Sequence, residues 1–345
     1  MHDNEKFFAS SVYAKRVTTM KISLLAPQGH GGVRDFSDLL AEKCNAQVSV
    51  VVIAWSKSNC DEVLASILES DCVFLQYSGY GYSRRGAPLW LLNQLRLNRH
   101  LIRRLGIFFH ELYAFGSPLS SAFWLSPAQR YIAKELSQLS DFWITNCEVS
   151  GWWLCQYSQG KPHAVMPVFS NLGEAAALPA VRKPNIVILG SAPLREKTYK
   201  AAGNKLFEWA GRQGLQIHDV GSDVNNEGIT SRLKREGVVV HGRLSKIDVS
   251  RLLKTAQFGV VCYLASQVAK SGVFAAYCAH GVCPVLITEK TSYSDKLDSH
   301  FHYLPTIPSE NIALEKSINL GLNAYNWYQL HNISAHSDVF LEFVK

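Results

Sequence analysis

The sequence lacks most of the features that settle a function class at once. None of its apolar runs approaches the roughly 20 residues that cross a bilayer as a helix. Eight cysteines, at positions 44, 60, 72, 147, 155, 262, 278 and 283, form no Cys-x-x-Cys pair, and most sit inside apolar runs. That usage fits reduced, buried thiols in a cytoplasmic protein and disfavours a disulfide frame or a zinc site. There is no low-complexity tract, no repeat of solenoid period, and no RNP, zinc-finger or helix-turn-helix signature. An Asp-x-Asp metal motif is also missing, so no divalent ion or other cofactor is expected. The net charge of +7 is moderate and spread along the chain. It suits a nucleotide-diphosphate ligand or an anionic membrane surface and does not argue for nucleic acid.

What the chain does have is length and rhythm. Its 345 residues are comfortable for two domains with separate cores. Apolar runs alternate with amphipathic stretches, the pattern of a doubly wound α/β architecture. Strands are predicted at 22–26, 48–54, 72–76, 106–110, 142–146 and 164–168, with helices at 33–44, 62–68, 89–104, 127–139 and 149–157. Residues 173–184, with an alanine run, Pro179 and Pro184, read as a linker. A second alternation follows, with strands at 186–190, 216–220, 238–241, 258–263 and 284–288. Its helices are predicted at 196–212, 230–235, 246–255, 270–280 and 293–297, with Ser245 capping the third. The expected division is a tail or over-extended start at 1–19, a Rossmann-like domain at 20–172, the linker, and a second Rossmann-like domain at 185–308. Helices at 309–345 are expected to pack back on the first domain.

Two strand-to-helix turns stand out. Lys270-Ser271-Gly272 opens a helix that closes on Gly281, between two apolar strands. A helix N-terminus presents unpaired N–H groups and a partial positive charge, so the turn is suited to a phosphate. A plain βαβ unit with a glycine cap is the other reading, and Lys270 is then a surface lysine. The second turn, Gly29-His30-Gly31-Gly32-Val33, lets the backbone approach a ligand closely. It departs from the dinucleotide fingerprint because Arg34 holds the third glycine position, which disfavours a dehydrogenase.

Four segments resemble GT-B glycosyltransferases of the family 4 type (glycosyl transferases group 1). Pro27 to Val33, followed by Phe36 and Leu39 to Ala41, resembles the N-terminal glycine loop and first helix of that family. Phe108-Phe109-His110-Glu111 resembles its strand-end His-Asp/Glu. Val239 to Leu244 with Ser250 to Leu253 resembles the turn and helix before the donor site. Ala279-His280-Gly281 with Pro284-Val285 resembles the end of the donor-site helix. The resemblance covers nearly the whole chain from Met20, with Ser191 where the family has an Arg just after the glycine, and one further departure matters. The paired glutamates of the family, eight positions apart, correspond here to Val268 and Ala276.

The resemblance implies two Rossmann-like domains facing across a cleft, a nucleotide-sugar donor, and retaining transfer without metal. It implies that His110 contacts the hydroxyls of the donor sugar, with Glu111 beside it as catalytic candidates. A satisfied structural histidine and a cap-like carboxylate are the alternatives. The diphosphate would rest on Arg195 first, whose guanidinium can chelate phosphate oxygens, with Lys197, Lys270, Ser271 and Gly272, and Lys200 as a further candidate. Lys197 and Lys200 also read as a solvated helix face. Trp124, Trp143, Trp152 and Trp153 read mainly as core, with Tyr80 and Trp124 the better candidates for stacking on sugar.

Arg96, Arg99, Arg103 and Arg104 recur at helical spacing beside Trp90 and several leucines, so the segment 89–104 reads either as a basic amphipathic helix for anionic lipid or as a helix with a solvated basic face. The expectation is a cytoplasmic glycosyltransferase, at most peripheral on the inner face of a membrane, acting on a polysaccharide or lipid-linked acceptor. The rival is a non-catalytic GT-B-like protein that binds a sugar nucleotide or a partner glycosyltransferase, as the absent glutamates suggest.

Overall fold

The computed structural model describes residues 20–29, 31–114, 121–288 and 294–345. The sequence-predicted tail at 1–19, His30 and Tyr293 lie outside the described residues. The first half alternates β1 (Lys21–Pro27), α1 (Gly32–Cys44), β2 (Ser49–Trp55), α2 (Cys60–Ile67), β3 (Cys72–Ser78), α3 (Gly79–Tyr82), α4 (Leu89–Asn98), β4 (Leu105–Glu111), α5 (Ser121–Leu139), β5 (Phe142–Thr145), α6 (Glu148–Cys155) and β6 (His163–Val165). Its strands form a six-stranded parallel sheet in the order β2-β1-β3-β4-β5-β6. Helices cover both faces, so the central strands are apolar throughout. Leu24, Leu25, Ala26, Val73, Phe74 and Leu75 are all buried. In α1, Phe36, Leu40, Ala41 and Cys44 recur at helical spacing and form its buried face.

The second half runs β7 (Lys183–Leu189), α7 (Ala192–Ala202), α8 (Lys205–Gln213), β8 (Gln216–Val220), α9 (Glu227–Arg235), β9 (Val239–Val240), α10 (Lys246–Thr255), β10 (Ala256–Cys262), α11 (Gly272–Ala279) and β11 (Cys283–Ile287). These five strands are again parallel, in the order β11-β10-β7-β8-β9. Both sheets show the doubly wound α/β layout. The chain ends in α12 (Leu314–Gln329) and α13 (Ile333–Val344). No helix of the described residues is long and apolar enough to cross a membrane.

The last two helices divide their loyalties. α12 packs on α11 and β11, and Gly321 makes that approach possible. A Cβ there would overlap the Gly281 carbonyl that closes α11. α13 packs on α1 and on the first sheet, with the Phe340 ring 4.8 Å from Phe74 and Phe343 5.2 Å from Phe142. One apolar cluster therefore runs from Leu24 and Phe108 through Phe169 to Phe274 and Tyr328.

Three predicted helices differ. The segment 89–104 stops being α-helical at Asn98, because Arg99 turns its guanidinium onto the Leu139 and Ile102 carbonyls and the Asp141 carboxylate. The segment 196–212 is two helices broken at Gly203, whose φ of 58° suits glycine. Residues 294–297 form a short bridge, Ser294 to Leu297, in place of a helix. Trp143 is buried as expected, whereas Trp152 is 63% exposed.

Candidate functional site

The carboxyl ends of both sheets face a common cleft. β4 ends on His110 and Glu111, Asn146 follows β5, and Tyr263 follows β10. A cavity of about 290 Å³ lies between the halves, lined by Gly32, Ser78, His110, Glu111, Asn146 and Asn171 on one side and Tyr263, Lys270 and Gly272 on the other. A neighbouring cavity of about 300 Å³ shares Glu111, Tyr263 and Lys270 and adds Tyr80. Two polar contacts tie the rims together. Lys246 on α10 pairs with Asp35 on α1 at 3.3 Å, and the Asp295 and Glu148 carboxylates each accept the other's backbone N–H, at 2.7 and 2.9 Å respectively.

His110 is buried, and its Nε2 lies 2.7 Å from Gln76 Oε1. A carbonyl oxygen only accepts, so Nε2 carries the proton. Burial, with a smaller contribution from His336, holds this imidazole down to about 3. It is therefore neutral at neutral pH, and Nδ1 is left as an acceptor. Glu111 is exposed in the cleft and accepts a hydrogen bond from Ser78 Oγ at 3.1 Å.

Across the cavity, Ser271 caps α11 by accepting from the Phe274 N–H at 3.3 Å. The N–H groups of Gly272 and Val273 have no partner among the described residues. Lys270 is half-buried beside them and makes no ion pair with any described residue. A lysine and an open helix N-terminus on one wall can hold a phosphate.

Of the other sequence-predicted residues, Gly32 reaches the cavity rim, while Gly29 and Gly31 are exposed in the turn before α1. Tyr80 lines the neighbouring cavity, but Trp124 stands 74% exposed on α5 and lines neither. Lys197 is exposed on α7, and Lys200 pairs with Glu196 at 3.6 Å.

Arg195 is corrected more sharply. It is 1% exposed, and its guanidinium donates to the Asp219 carboxylate and to the Gly190 and Ser222 carbonyls, so it is turned into the interior and not offered to a phosphate. The basic face is partly paired within the chain. Arg96 pairs with Glu135, Arg99 with Asp141 and Arg103 with Asp71, while Arg104 lies over the Phe142 ring. These partners neutralise much of the charge that a lipid surface would meet. His280, within the Ala279-His280-Gly281 match, is likewise internal. Its Nδ1–H donates to the Ala276 carbonyl and its Nε2 accepts from Ser250 Oγ, both at 2.8 Å.

Sequence reasoning missed Gln76, Asn146 and Asn171. Neutral amides carry no charge signature, and the available signal was a polar residue at or just beyond the end of an apolar strand. Among the described residues no group of three or more His, Cys, Asp or Glu gathers as a metal site.

No protein-family model matches the chain, and no curated protein sequence does. Solved structures do match by shape. AviGT4, a glycosyltransferase involved in avilamycin A biosynthesis, aligns over 94% of this chain and 97% of its own, with a TM-score of 0.55 at 12% identity. The fold is GT-B. The GtfA/B complex aligns with a TM-score of 0.55 at 14% identity, over 83% of this chain and 59% of the matched chain. The chain therefore spans less than two thirds of that larger protein. The same GT-B layout also occurs in the UDP-GlcNAc 2-epimerase of Neisseria meningitidis bound to UDP-GlcNAc, with a TM-score of 0.54 at 12% identity, covering 94% and 99% of the two chains. At these identities the likeness is one of fold, so the chemistry rests on the cleft itself.

The buried histidines give this GT-B chain a definite acid response. Burial lowers His110 and His331 to about 3, and His280 and His336 to about 4, from an ordinary 6.5. The unfolded chain takes these protons near 6.5 and the folded one does not. Their contribution is present above that pH and lost as pH falls toward 4, at up to roughly 1.4 kcal/mol per pH unit for each group. Asp295, raised to about 6 by burial, works the other way and is outnumbered. The thermal midpoint is expected to fall steadily from about pH 6.5 to about pH 4.5. A flat profile over that range would contradict it.

Proposed function

We propose that this protein transfers a sugar from a nucleotide-diphosphate donor to a hydroxyl of a glycan or glycolipid acceptor. The observation that carries the reading is the cleft itself, where Lys270 and the open N-terminus of α11 face His110 and Glu111 across one cavity. In the proposed reaction the bond from the anomeric carbon to the leaving phosphate oxygen breaks, and a bond to the acceptor oxygen forms on the same face. The acceptor's proton passes to the leaving phosphate, so retention follows and no metal enters. Lys270 and the N–H groups of Gly272 and Val273 stabilise the charge that develops on the phosphate. His110, neutral and oriented by Gln76, accepts from a sugar hydroxyl and fixes the ring.

A second reading, binding without turnover, is favoured by one observation. Val268 and Ala276, where the resembled family carries glutamates, are 1% and 0% exposed and present no acid to the cleft.

The experiment is a thermal-shift screen against UDP, GDP, ADP and their sugar conjugates, followed by assay of nucleotide release. A nucleotide at 10 to 100 times its Kd is expected to stabilise by about 1.4 to 2.7 kcal/mol. No response to any nucleotide from folded protein would sink the proposal. Stabilisation without sugar consumption would leave the binding reading in its place.

A further inference from the structure

Of the four sheet edges, three are short or covered. β9 has two residues and β6 three, and Leu304 bridges the outer side of β11. β2 is different. It runs seven residues, Ser-Val-Val-Val-Ile-Ala-Trp, pairs with β1 on one side and has no strand on the other among the described residues. It also lacks the charge, proline or bulge by which natural proteins keep such an edge from pairing. Val51 in its middle is 56% exposed.

The backbone groups of this strand are sorted by side. The Ser49 N–H donates to the Met20 carbonyl at 3.0 Å, so in the parallel register Ser49, Val51 and Ile53 face β1. Val50, Val52 and Ala54 therefore turn their backbone groups outward. Asparagine side chains seal both ends of that outward row. Asn45 Oδ1 accepts from the Val50 N–H at 2.7 Å. Asn59 Nδ2 donates to the Ala54 carbonyl at 2.9 Å, and its Oδ1 accepts from the Ser56 N–H at 2.8 Å. Between the seals, the Val50 carbonyl, the Val52 N–H and carbonyl, and the Ala54 N–H have no partner among the described residues.

That set is its own complement. A second β2 laid antiparallel about a two-fold axis at Val52 sets Val52 against Val52 and Val50 against Ala54. The Val52 pair exchanges N–H and carbonyl, which makes two bonds. The Ala54 N–H of each copy meets the Val50 carbonyl of the other, which makes two more. An unrelated antiparallel strand would bring an acceptor to the Val50 N–H and a donor to the Ala54 carbonyl, both already taken. The second copy brings groups that are taken in the same way. On one face, Val51 of each copy lies opposite Ile53 of the other, a β-branched pair that covers exposed apolar surface.

We infer that β2 is a homodimer interface, where a second copy of this chain adds its own β2 antiparallel and joins the two first sheets into one. The contact runs along the strand edge, whereas the cleft opens at the carboxyl ends of the strands, so each copy keeps its site free. Such an interface serves a binding protein and a transferring one alike.

The test is sedimentation velocity of wild type, Val51→Lys and Val52→Pro between about 1 and 200 µM, with hydrogen–deuterium exchange at both ends of the range. Wild type is expected to pass from monomer to dimer as concentration rises. The Val52 and Ala54 amides should then exchange about tenfold more slowly, or slower still. Val51→Lys sets an ammonium group against Ile53 of the second copy, and Val52→Pro deletes the donor of both central bonds. Each should leave the protein monomeric across the range. The monomer accepts both changes, since Val51 is exposed and the Val52 N–H serves no bond within the fold.

Far-UV circular dichroism and the thermal midpoint identify the variants that fold. Wild type that stays monomeric throughout would overturn the inference. So would a dimer that persists in either folded variant, or one that leaves the Val52 and Ala54 amides exchanging as in the monomer.

Discussion

Replacing Asp219 by alanine is expected to destabilise the protein by about 3 to 5 kcal/mol. Asp219 is 1% exposed in β8 and accepts from Arg195 on α7 and from the Tyr199 hydroxyl at 2.8 Å. Truncation strands a buried guanidinium that retains only two carbonyls. Gly221 makes the arrangement tighter, because a Cβ there would overlap the Gly190 carbonyl and press on Arg195. Burial raises the pKa of Asp219 despite the adjacent cation, so the carboxylate loses more by desolvation than Arg195 returns to it. The pair is therefore costly to break and of small net benefit when whole. A double replacement, Arg195→Met with Asp219→Leu, is expected to recover most of the loss. Urea unfolding of the singles and the double makes the cycle. A single-variant loss below about 1 kcal/mol would refute it.

The Lys270→Ala variant, in contrast, should leave stability within about 0.5 kcal/mol of wild type, since its ammonium pairs with no described carboxylate. Its effect belongs to the chemistry. If the leaving diphosphate rests on this wall, removing this cation beside the α11 N-terminus should lower kcat/KM for sugar transfer by about a hundredfold, or roughly 2.7 kcal/mol. Lys270→Arg keeps the charge and should recover part of the loss. Steady-state turnover with the nucleotide sugar found by the thermal screen provides the check, and an unchanged kcat/KM would remove Lys270 from the site.

The contrast between Arg195 and Lys270 shows how far the sequence could be read. All eleven sequence-predicted strands have a counterpart among the observed strands, because parallel strands covered on both faces are written as short apolar runs. Helix limits were legible where a local signal existed, as at Ser245, whose Oγ accepts from the Asp248 N–H. They were not legible where a distant partner decided, as at Arg99 reaching Leu139 and Asp141.

The site divides in the same way. His110, Lys270 and Gly272 stand at strand ends and a helix start, and topology alone carries them to the cleft. Arg195 stands equally close to a strand end, but its side chain turns inward to Asp219 one strand away. The clue was an aspartate inside an otherwise apolar strand, since a buried acid needs a partner.

The C-terminal helices carry a mechanical consequence. The chain crosses from the first half to the second after β6, and returns in the short turn between α12 and α13. Two crossings therefore tie the halves together, where a single one would leave them joined by one thread. Gly321 seats α12 against the turn at Gly281 that ends α11, so the return crossing is anchored to the element that carries the open N–H groups of Gly272 and Val273. α13 on the first half is thereby joined by one short turn to the helix seated against the wall that carries Lys270.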